Sequence, residues 1–300
     1  PKTERLEALD IMAKIKLVSL DISEFANVQT TLKKIKPNLI FNLAAQSFVH
    51  DSFSHPKITS TVNFDSVINI LEAIKLEGLD CSLYQASTSE MYGVTSAKLL
   101  DESSKFNPSS PYAVAKMAAH FMIKTYREAY GMRCCSGILF NHESELRGKE
   151  FVTRKITSQL AEVKIGMRDC LLLGNMDSQR DWGYAPEYVE AMIAMLTCPK
   201  VDDYVVATNT LSSVRLFLEF AAREIGFKPV FDGELSEEVC IDENTGRVIA
   251  KVDPEFFRPL DVSYLRGDFN RISSALGWSP KVFWEEISSR MAYHDLKMLT

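Results

Sequence analysis

Tyr112 and Lys116 are residue types that can do acid–base chemistry, and they lie four positions apart in this 300-residue sequence. A helix would place them on one face, about one turn from each other. An ammonium group beside a phenol favours the phenolate, so we expect Lys116 to lower the pKa of Tyr112 from about 10 toward neutral. A tyrosine with a lowered pKa can act as a general base at neutral pH.

A second cluster, Thr88, Ser89 and Glu90, directly follows an apolar stretch. The stretch predicts a buried strand, and the carboxyl end of such a strand is where an open α/β sheet places its ligand. Simple hydride transfer from an alcohol needs only a base and a hydroxyl group, so the carboxylate of Glu90 indicates a further proton transfer. The clusters together predict a redox site with an extra acid. As the alternative, Glu90 only caps the segment that follows.

The segments around these clusters alternate between strand and helix patterns. The expected strands are 14–20, 38–43, 81–87 and 133–140, and the expected helices are 23–35, 59–76 and 111–130. Ser110 and Pro111 are typical of a helix start, and Gly131 is typical of a helix end. This alternation predicts an α/β fold with a doubly wound parallel (Rossmann-type) sheet.

The second half of the sequence is less regular and predicts a second, smaller α/β unit. We expect residues 1–143 to form a dinucleotide-binding domain, with 175–202 returning to it. Residues 144–174 and 203–300 are expected to form a substrate domain, in which the charged segment 232–253 is a hairpin or a flap over the ligand.

A dinucleotide-binding fold usually opens with a strand and a glycine-rich turn that brings a pyrophosphate to a helix N-terminus. This sequence contains no such turn, and segment 14–20 is similar to the third strand of the usual order. Asp21 and Ile22 are then expected beside the adenine of a dinucleotide. We interpret the sequence as an N-terminally incomplete part of a longer protein; a complete protein without the glycine-rich unit is the alternative.

The segment after the expected strand 38–43 is a further candidate for cofactor binding. Ala44 and Ala45 are small and let a ligand approach the backbone. With the flanking Leu43 and Ser47, they form a predicted cofactor loop at the carboxyl edge of the sheet.

Composition limits the class of protein. The net charge of −6 argues against nonspecific nucleic-acid binding, and 46% hydrophobic with 25% charged residues is typical of a globular enzyme. No apolar run approaches the ~20 residues that span a bilayer, and the start does not have a signal-peptide pattern, so we expect no membrane partner and a cytoplasmic location. The six cysteines and five histidines lack metal-ligand spacing, which favours free thiols and no metal site.

Several runs of the sequence resemble the extended short-chain dehydrogenase/reductases that modify nucleotide sugars. This general class is indicated by Tyr112 with Lys116 and by the runs at 42–46, 180–182 and 276–280. A narrower resemblance, to the GDP-mannose 4,6-dehydratase family, rests on the runs at 84–93, 137–144, 151–156, 173–177 and 180–183. The matching runs extend over nearly the whole chain.

The resemblance implies a lyase of nucleotide-sugar metabolism that removes water from GDP-mannose by an internal hydride transfer from C4 to C6, with NADP as cofactor and NAD as the alternative. Tyr112 would accept the 4-hydroxyl proton, Lys116 would bind the nicotinamide ribose, and Thr88 would donate to the 4-keto oxygen. Glu90 would remove the C5 proton and, directly or through Ser89, supply the proton for the departing water. The similar dTDP-glucose dehydratases carry an aspartate at the place of Ser89, so the serine favours the GDP-sugar branch.

The resemblance also implies ligand contacts outside these clusters. His142 and Arg147 match cofactor positions. The matching substrate positions are Ser89, Asn141, Val152, Lys155, Arg180 and Arg258. Enzymes of this kind are usually homodimers or homotetramers, with helices such as those at 59–76 and 111–130 in the interface.

Three alternatives remain open at the level of sequence. One is a dehydratase of another GDP-sugar, such as GDP-heptose. The second is a nucleotide-sugar 4-reductase or epimerase, which needs no C5 base at Glu90. The third is a non-catalytic ligand-binding relative.

Overall fold

The computed structural model describes residues 3–256 and 264–300. The helices are α1 (Glu4–Ala8), α2 (Phe25–Ile35), α3 (Val49–Ser54), α4 (Pro56–Ser60), α5 (Ser66–Leu76), α6 (Pro111–Tyr130), α7 (Val152–Lys164), α8 (Ala185–Thr197), α9 (Val214–Glu224), α10 (Asn270–Leu276) and α11 (Trp284–Lys297). The helix α6 begins after Ser110 and ends before Gly131, as the sequence predicts.

The strands are short, as is usual for globular proteins. They are β1 (Leu39–Asn42), β2 (Ser82–Thr88), β3 (Cys134–Leu139), β4 (Asn141–Glu143), β5 (Leu171–Leu173), β6 (Gln179–Arg180), β7 (Trp182–Tyr184), β8 (Tyr204–Val206), β9 (Ser212–Ser213), β10 (Pro229–Asp232), β11 (Val239–Asp242), β12 (Arg247–Val252) and β13 (Tyr264–Leu265).

The main sheet has the strand order β1-β2-β3-β8, and all of its pairs are parallel. Alternate residues of β2 and β3 contact helices on opposite faces. Leu83 and Cys134 pack with α2, α5 and α6, whereas Tyr84 and Cys135 pack with α8. Because both faces are covered, the central strands are apolar on both sides. The doubly wound parallel sheet therefore confirms the predicted fold class.

A second core lies between the helices α7, α9 and α11 and a sheet of order β10-β11-β12-β5. The predicted hairpin at 232–253 is present as β11 and β12, and its residues Cys240 and Ile249 are fully buried in this core. The strand β8, which the sequence analysis assigned to the second domain, pairs with β3 in the main sheet. The division into two domains otherwise stays a prediction.

The expected strand at 14–20 is absent from the structure. Met12–Lys14 forms a short 3-10 turn, and residues 15–20 have no ladder partner in the described part of the chain. Leu17 and Val18 are exposed. A β-strand is defined by hydrogen-bonded pairing with a neighbouring strand. In the described residues β1 pairs with β2 but not with segment 14–20. The apolar pattern alone therefore did not produce a strand.

The expected helix at 59–76 is interrupted by a π turn, Thr61–Asp65, between α4 and α5. The residues of the turn include neither proline nor glycine, so the sequence pattern gave no sign of it. A π turn inserts one extra residue into a helix and is frequent at functional sites. Here it turns the side chain of Asn63 into the protein, where it is 1% exposed.

Candidate active site

The strand β2 brings the hydroxyl–carboxylate cluster to the carboxyl edge of the main sheet. It ends at Thr88, and the chain continues into a 3-10 turn, Ser89–Tyr92. Thr88 caps this turn, because its Oγ1 accepts a hydrogen bond from the backbone N of Glu90 at 3.2 Å. Thr88 and Ser89 are buried and Glu90 is half-buried. The predicted cluster therefore lies where parallel sheets bind their ligands.

The helix α6 brings the tyrosine and lysine to the same place. Ser110 Oγ accepts a hydrogen bond from the backbone N of Ala113 at 3.1 Å, so the helix starts just before Tyr112. Tyr112 is 9% exposed and Lys116 is 3% exposed. Lys116 Nζ donates to the carbonyl oxygen of Ala86 in β2 at 3.0 Å. The structure thus brings the two predicted clusters together.

Burial raises the pKa of Tyr112 to about 12; the Glu90 carboxylate adds to this effect, whereas the Thr88 hydroxyl and the Arg147 cation oppose it. The expected lowering of this pKa by Lys116 is wrong. Lys116 Nζ lies 6.0 Å from the tyrosine ring centroid, and burial outweighs the favourable charges.

Burial lowers the pKa of Lys116 to about 8. The residue has no carboxylate within ion-pair distance in the described ranges, and its hydrogen bond to Ala86 uses one of three ammonium hydrogens. A buried ammonium with hydrogens to spare fits a ligand that presents hydroxyl groups.

His142 lies on β4, which pairs with β7. Its Nδ1 lies 2.9 Å from the carbonyl oxygen of Phe140, and its ring stacks on Tyr188 with centroids 4.8 Å apart. The carbonyl can only accept, so Nδ1 carries the hydrogen and Nε2 is left as an acceptor. Burial lowers the pKa of His142 to about 4, so the ring is neutral at physiological pH.

The predicted cofactor loop follows β1 at the same sheet edge. Leu43, Ala44 and Ser47 are exposed and Ala45 is half-buried, so the loop is open to a ligand. Asn63 fixes the loop from the π turn: its Oδ1 accepts from the backbone N of Gln46 at 2.8 Å, and its Nδ2 donates to the carbonyl of Gln46 at 2.9 Å. Asn63 was not among the site residues predicted from the sequence. A polar residue within an apolar helix pattern was its only sign in the sequence.

Asp21 and Ile22, predicted to lie beside an adenine, form the turn before α2. Asp21 is exposed, and its Oδ1 accepts from the backbone N and the hydroxyl of Ser23, which lowers its pKa. Ile22 packs against the core of α2 and α5, and its carbonyl accepts from Asn69. Both residues therefore have a structural role here, and the adenine contact stays a prediction.

Three predicted substrate residues follow one another along β4 and α7. Asn141 is half-buried and pairs with Trp182, and Val152 is exposed at the first position of α7. Lys155 Nζ lies 3.5 Å from the ring centroid of Phe256, and burial lowers its pKa. A partly desolvated ammonium at a helix start is suited to an anionic ligand.

Arg180 is buried, and its Nη1 donates to the carbonyl of Gln179 at 2.8 Å. The neighbouring Asp181 is fully buried and accepts hydrogen bonds from two loops, through backbone N–H groups of Thr208, Asn209 and Gly267 and through the Thr208 hydroxyl. These bonds fix the backbone that carries Arg180. The other predicted substrate arginine, Arg258, lies outside the described residues.

The residues present fit a nicotinamide nucleoside. Lys116 offers buried ammonium hydrogens for ribose hydroxyls, His142 presents a neutral acceptor, and the 43–47 loop presents backbone with small side chains. These groups surround the sheet edge at which Tyr112 lies.

In residues 3–256 and 264–300, no group of three or more histidine, cysteine, aspartate or glutamate side chains could hold a metal ion. Over the same residues, none of the helices combines the length and the apolar character that crossing a membrane requires.

Comparisons with known proteins agree on one family. A family model described as GDP-mannose 4,6 dehydratase matches residues 1–291. GDP-mannose 4,6-dehydratase of Vibrio cholerae is 42% identical over 290 residues, which are 93% of this chain and 78% of that protein. The human GDP-mannose 4,6 dehydratase is 39% identical over 291 residues, which are 96% of this chain and 78% of that protein.

Solved structures support the fold. RMD from Pseudomonas aeruginosa, complexed with NADPH, is similar with a TM-score of 0.80 and 21% identity, covering 98% of this chain and 95% of that chain. A dTDP-glucose 4,6-dehydratase from Bacillus anthracis, in complex with NAD, has a TM-score of 0.78 and 17% identity, covering 99% and 84%. At these identities the likeness establishes the Rossmann-type fold.

Proposed function

The chain belongs to the GDP-mannose 4,6-dehydratase family, and from this premise we propose that it removes water from GDP-mannose to give GDP-4-keto-6-deoxymannose. The observation that carries the proposal is the convergence of Thr88, Glu90 and Tyr112 at one sheet edge. Thr88 and Glu90 lie at the end of β2, where Thr88 Oγ1 accepts from the backbone N of Glu90, and both act on the ionisation of Tyr112.

Tyr112 and Thr88 act in the oxidation half of the reaction. Tyr112 accepts the proton of the sugar 4-hydroxyl, and Thr88 donates a hydrogen bond to the oxygen that becomes the 4-keto group. Lys116 binds the nicotinamide ribose with the ammonium hydrogens that Ala86 leaves unused. When bound, oxidised NADP would supply the hydride acceptor; NAD is the alternative cofactor.

Glu90 acts in the elimination half. The 4-keto group acidifies C5, and the half-buried carboxylate of Glu90 removes the C5 proton. The hydroxyl at C6 then leaves as water, protonated by Glu90 directly or through Ser89, and a C5=C6 double bond forms. The hydride removed from C4 returns to C6 and a proton to C5, so the product is the 4-keto-6-deoxy sugar with no net oxidation. A 4-reductase or a 4-epimerase has no use for this base, so the role of Glu90 separates the proposed function from these alternatives.

The remaining predicted residues complete the proposed site. The proposed cofactor contacts, besides Tyr112 and Lys116, are Asp21, Ile22, Leu43, Ala44, Ala45, Ser47, His142 and Arg147. Asn141, Val152, Lys155, Arg180 and Arg258 contact the GDP-sugar. The cations among them suit a diphosphate, because a guanidinium can bond two oxygens at once.

The proposed assembly is a homodimer or a homotetramer. Val114, Phe121 and Tyr130 on α6 and Leu76 on α5 are exposed apolar side chains, which a second copy would cover. We place the protein in the cytoplasm, where its six free cysteines would stay reduced.

The experiment is a product assay. The purified protein is incubated with GDP-mannose and NADP, and the nucleotide sugar is analysed by mass spectrometry and NMR. We expect the loss of one water and a keto group at C4. Unchanged GDP-mannose, or an oxidised sugar that keeps its C6 hydroxyl, would contradict the proposal.

The variant Glu90→Gln separates the enzyme classes. Its control is Glu102→Gln, because Glu102 Oε1 accepts from the backbone N of Val205 at 2.7 Å and an amide oxygen can still accept there. Glu90→Gln is expected to abolish product formation and to leave GDP-mannose binding intact, because the amide cannot accept the C5 proton. Turnover by Glu90→Gln at the wild-type rate would instead indicate a reductase or an epimerase.

A further inference from the structure

His142 is held at one edge and on one face of its ring. Its Nδ1 donates to the carbonyl oxygen of Phe140, 2.9 Å away. Its ring stacks on the ring of Tyr188, with centroids 4.8 Å apart and planes 24° apart, which is an arrangement that aromatic pairs prefer. These two contacts leave Nε2 as the ring nitrogen that can accept a hydrogen bond from a ligand.

Gly183 makes room for the Tyr188 ring beside His142. Gly183 lies on β7 and is the strand partner of His142 on β4. A Cβ atom on Gly183 would lie 2.3 Å from Cε2 of Tyr188 and 2.7 Å from its hydroxyl oxygen. Carbon atoms in contact lie about 3.5–4.0 Å apart, so a side chain at this position would displace the ring. The ring can therefore lie against the backbone of β7 only because residue 183 is glycine.

Tyr188 is itself fixed by the C-terminal part of the chain. Trp278 contacts its ring edge to face, with centroids 6.1 Å apart. The indole Nε1 of Trp278 donates to the carbonyl oxygen of Glu187, the residue before Tyr188, at 2.9 Å. Tyr188 is fully buried, and its hydroxyl has no hydrogen-bond partner within the described residues. The contact between Tyr188 and His142 is therefore made by the ring and not by the hydroxyl.

We propose that Tyr188 is a positioning residue for His142: its ring, lying over Gly183, keeps the imidazole in the orientation that gives the Nδ1 hydrogen to Phe140 and leaves Nε2 as an acceptor. The proposal rests on the proposed function, in which His142 contacts the cofactor. It adds to that contact the nitrogen that accepts and the residue that keeps this nitrogen free of hydrogen.

The carbonyl of Phe140 alone does not define the plane of the imidazole. A ring held by one hydrogen bond can turn about its Cβ–Cγ bond and break that bond, after which the hydrogen can move to Nε2. The stacked ring of Tyr188 is the second contact that prevents this rotation. Burial, with the Arg147 cation, lowers the pKa of His142 to about 4, so the ring is neutral near pH 7 and only the place of its hydrogen varies.

NMR of the full chain labelled with ¹⁵N-histidine measures the tautomer of His142 without cofactor. The ring-nitrogen shifts distinguish Nδ1–H from Nε2–H, and His142→Gln identifies the His142 signals among those of the five histidines. We expect Nδ1–H in the wild type and in Tyr188→Phe, which keeps the ring. Tyr188→Met fills the space without a ring and is expected to give shifts averaged between the two tautomers. Tyr204→Met, at another buried tyrosine of the same core, is the matched control and should keep Nδ1–H.

A binding cycle tests whether Tyr188 acts through His142. The affinity for NADP is measured by calorimetry for the wild type, His142→Leu, Tyr188→Met and the double variant. Each single variant is expected to weaken NADP binding about fivefold, which corresponds to the loss of one neutral hydrogen bond. The double variant is expected to bind as weakly as His142→Leu and no more weakly. A tyrosine that only supported the fold would instead give additive losses.

Three results would overturn the proposal: Nε2–H in the wild type, wild-type nitrogen shifts in Tyr188→Met, or additive losses in the double variant. If Tyr188→Met fails to fold, as circular dichroism would report, Gly183→Ala decides, because its methyl group displaces the ring and is expected to give the averaged shifts. The nitrogen shifts need neither cofactor nor substrate. Failure of the dehydratase assay, or of NADP binding by the wild type, together with the expected shifts would therefore reject the proposed function alone.

Discussion

Burial drives Tyr112 and Lys116 toward their uncharged forms, with a pKa of about 12 for the phenol and about 8 for the ammonium. The site therefore holds two groups whose charged forms are disfavoured. A ligand that brings charge to this site can change both ionisation states, which is a property that a proton-transfer site requires.

Lys116 is expected to lower the free energy of unfolding, because its ammonium group is buried. Its folded pKa lies below the ordinary value of 10.5, so the unfolded chain binds the proton more strongly. The cost is fully present below pH 8 and is relieved as the pH rises from 8 to 10.5. Lys116→Met should therefore raise the free energy of unfolding by about 3 kcal/mol at pH 7 and by much less near pH 10.

Thermal unfolding at the two pH values checks this expectation, with Lys124→Met, an exposed position on the same helix, as the control. A Lys116→Met variant that is less stable than the wild type at pH 7 would contradict it.

Thr88 is expected to act mainly in the transition state. Thr88→Val removes the hydroxyl that donates to the developing oxygen, and kcat should fall about 100-fold with little change in KM. Thr88→Ser keeps the donor and should retain most of the activity. Steady-state kinetics of the two variants check the prediction, and equal losses in both would argue for a packing role.

At the scale of elements, the π turn Thr61–Asp65 links a helix to the cofactor loop through Asn63. Asn63→Leu should free the loop, because the backbone N and carbonyl of Gln46 lose both partners. We expect a stability loss of about 1–3 kcal/mol and faster amide exchange at Gln46. Asn69→Leu is the control, since Asn69 bonds the carbonyls of Ile22 and Ser23 instead.

Hydrogen–deuterium exchange measures the amide protection of residues 44–47 and of the turn at 22–23 in one experiment. Loosening of residues 44–47 in Asn69→Leu, or its absence in Asn63→Leu, would show that the π turn does not position the loop.

Local sequence signals predicted the elements whose ends depend on nearby residues. Ser110, Pro111 and Gly131 placed α6 correctly, and Thr88 with Glu90 was correctly placed at a strand end. Features that depend on distant partners were not predictable. A strand at 14–20 would have required a neighbouring strand to pair with. Asn63 in the π turn bonds the backbone of Gln46, which is 17 residues away in the sequence. The pKa of Tyr112 is set mainly by burial, which the four-residue spacing to Lys116 does not indicate.

At the scale of the whole molecule, buried polar contacts join elements that are far apart in sequence. Arg127 of α6 binds Asp203, next to β8, through two bonds of 2.9 and 2.6 Å, and Asp203 also accepts from the backbone N of Ser136. These contacts hold the helix that carries Tyr112 against the edge of the main sheet.

Arg127→Met should leave the Asp203 carboxylate buried without its cation, at a cost of about 3 kcal/mol. The matched control is Arg271→Met, which removes an exposed ion pair with Asp202 and should cost below about 1 kcal/mol. Urea unfolding of both variants checks the difference, and equal losses would contradict it.

The central claim is that Tyr112 and Glu90 act on the same sugar, one in oxidation and the other in elimination. The path of deuterium in GDP-mannose labelled at C4 tests it most directly, with NADP present and NMR of the product as the readout. We predict that the label moves to C6 as one water is lost, and that unlabelled substrate in D₂O gains deuterium at C5. A label that stays at C4, or a product without solvent deuterium at C5, would contradict the account.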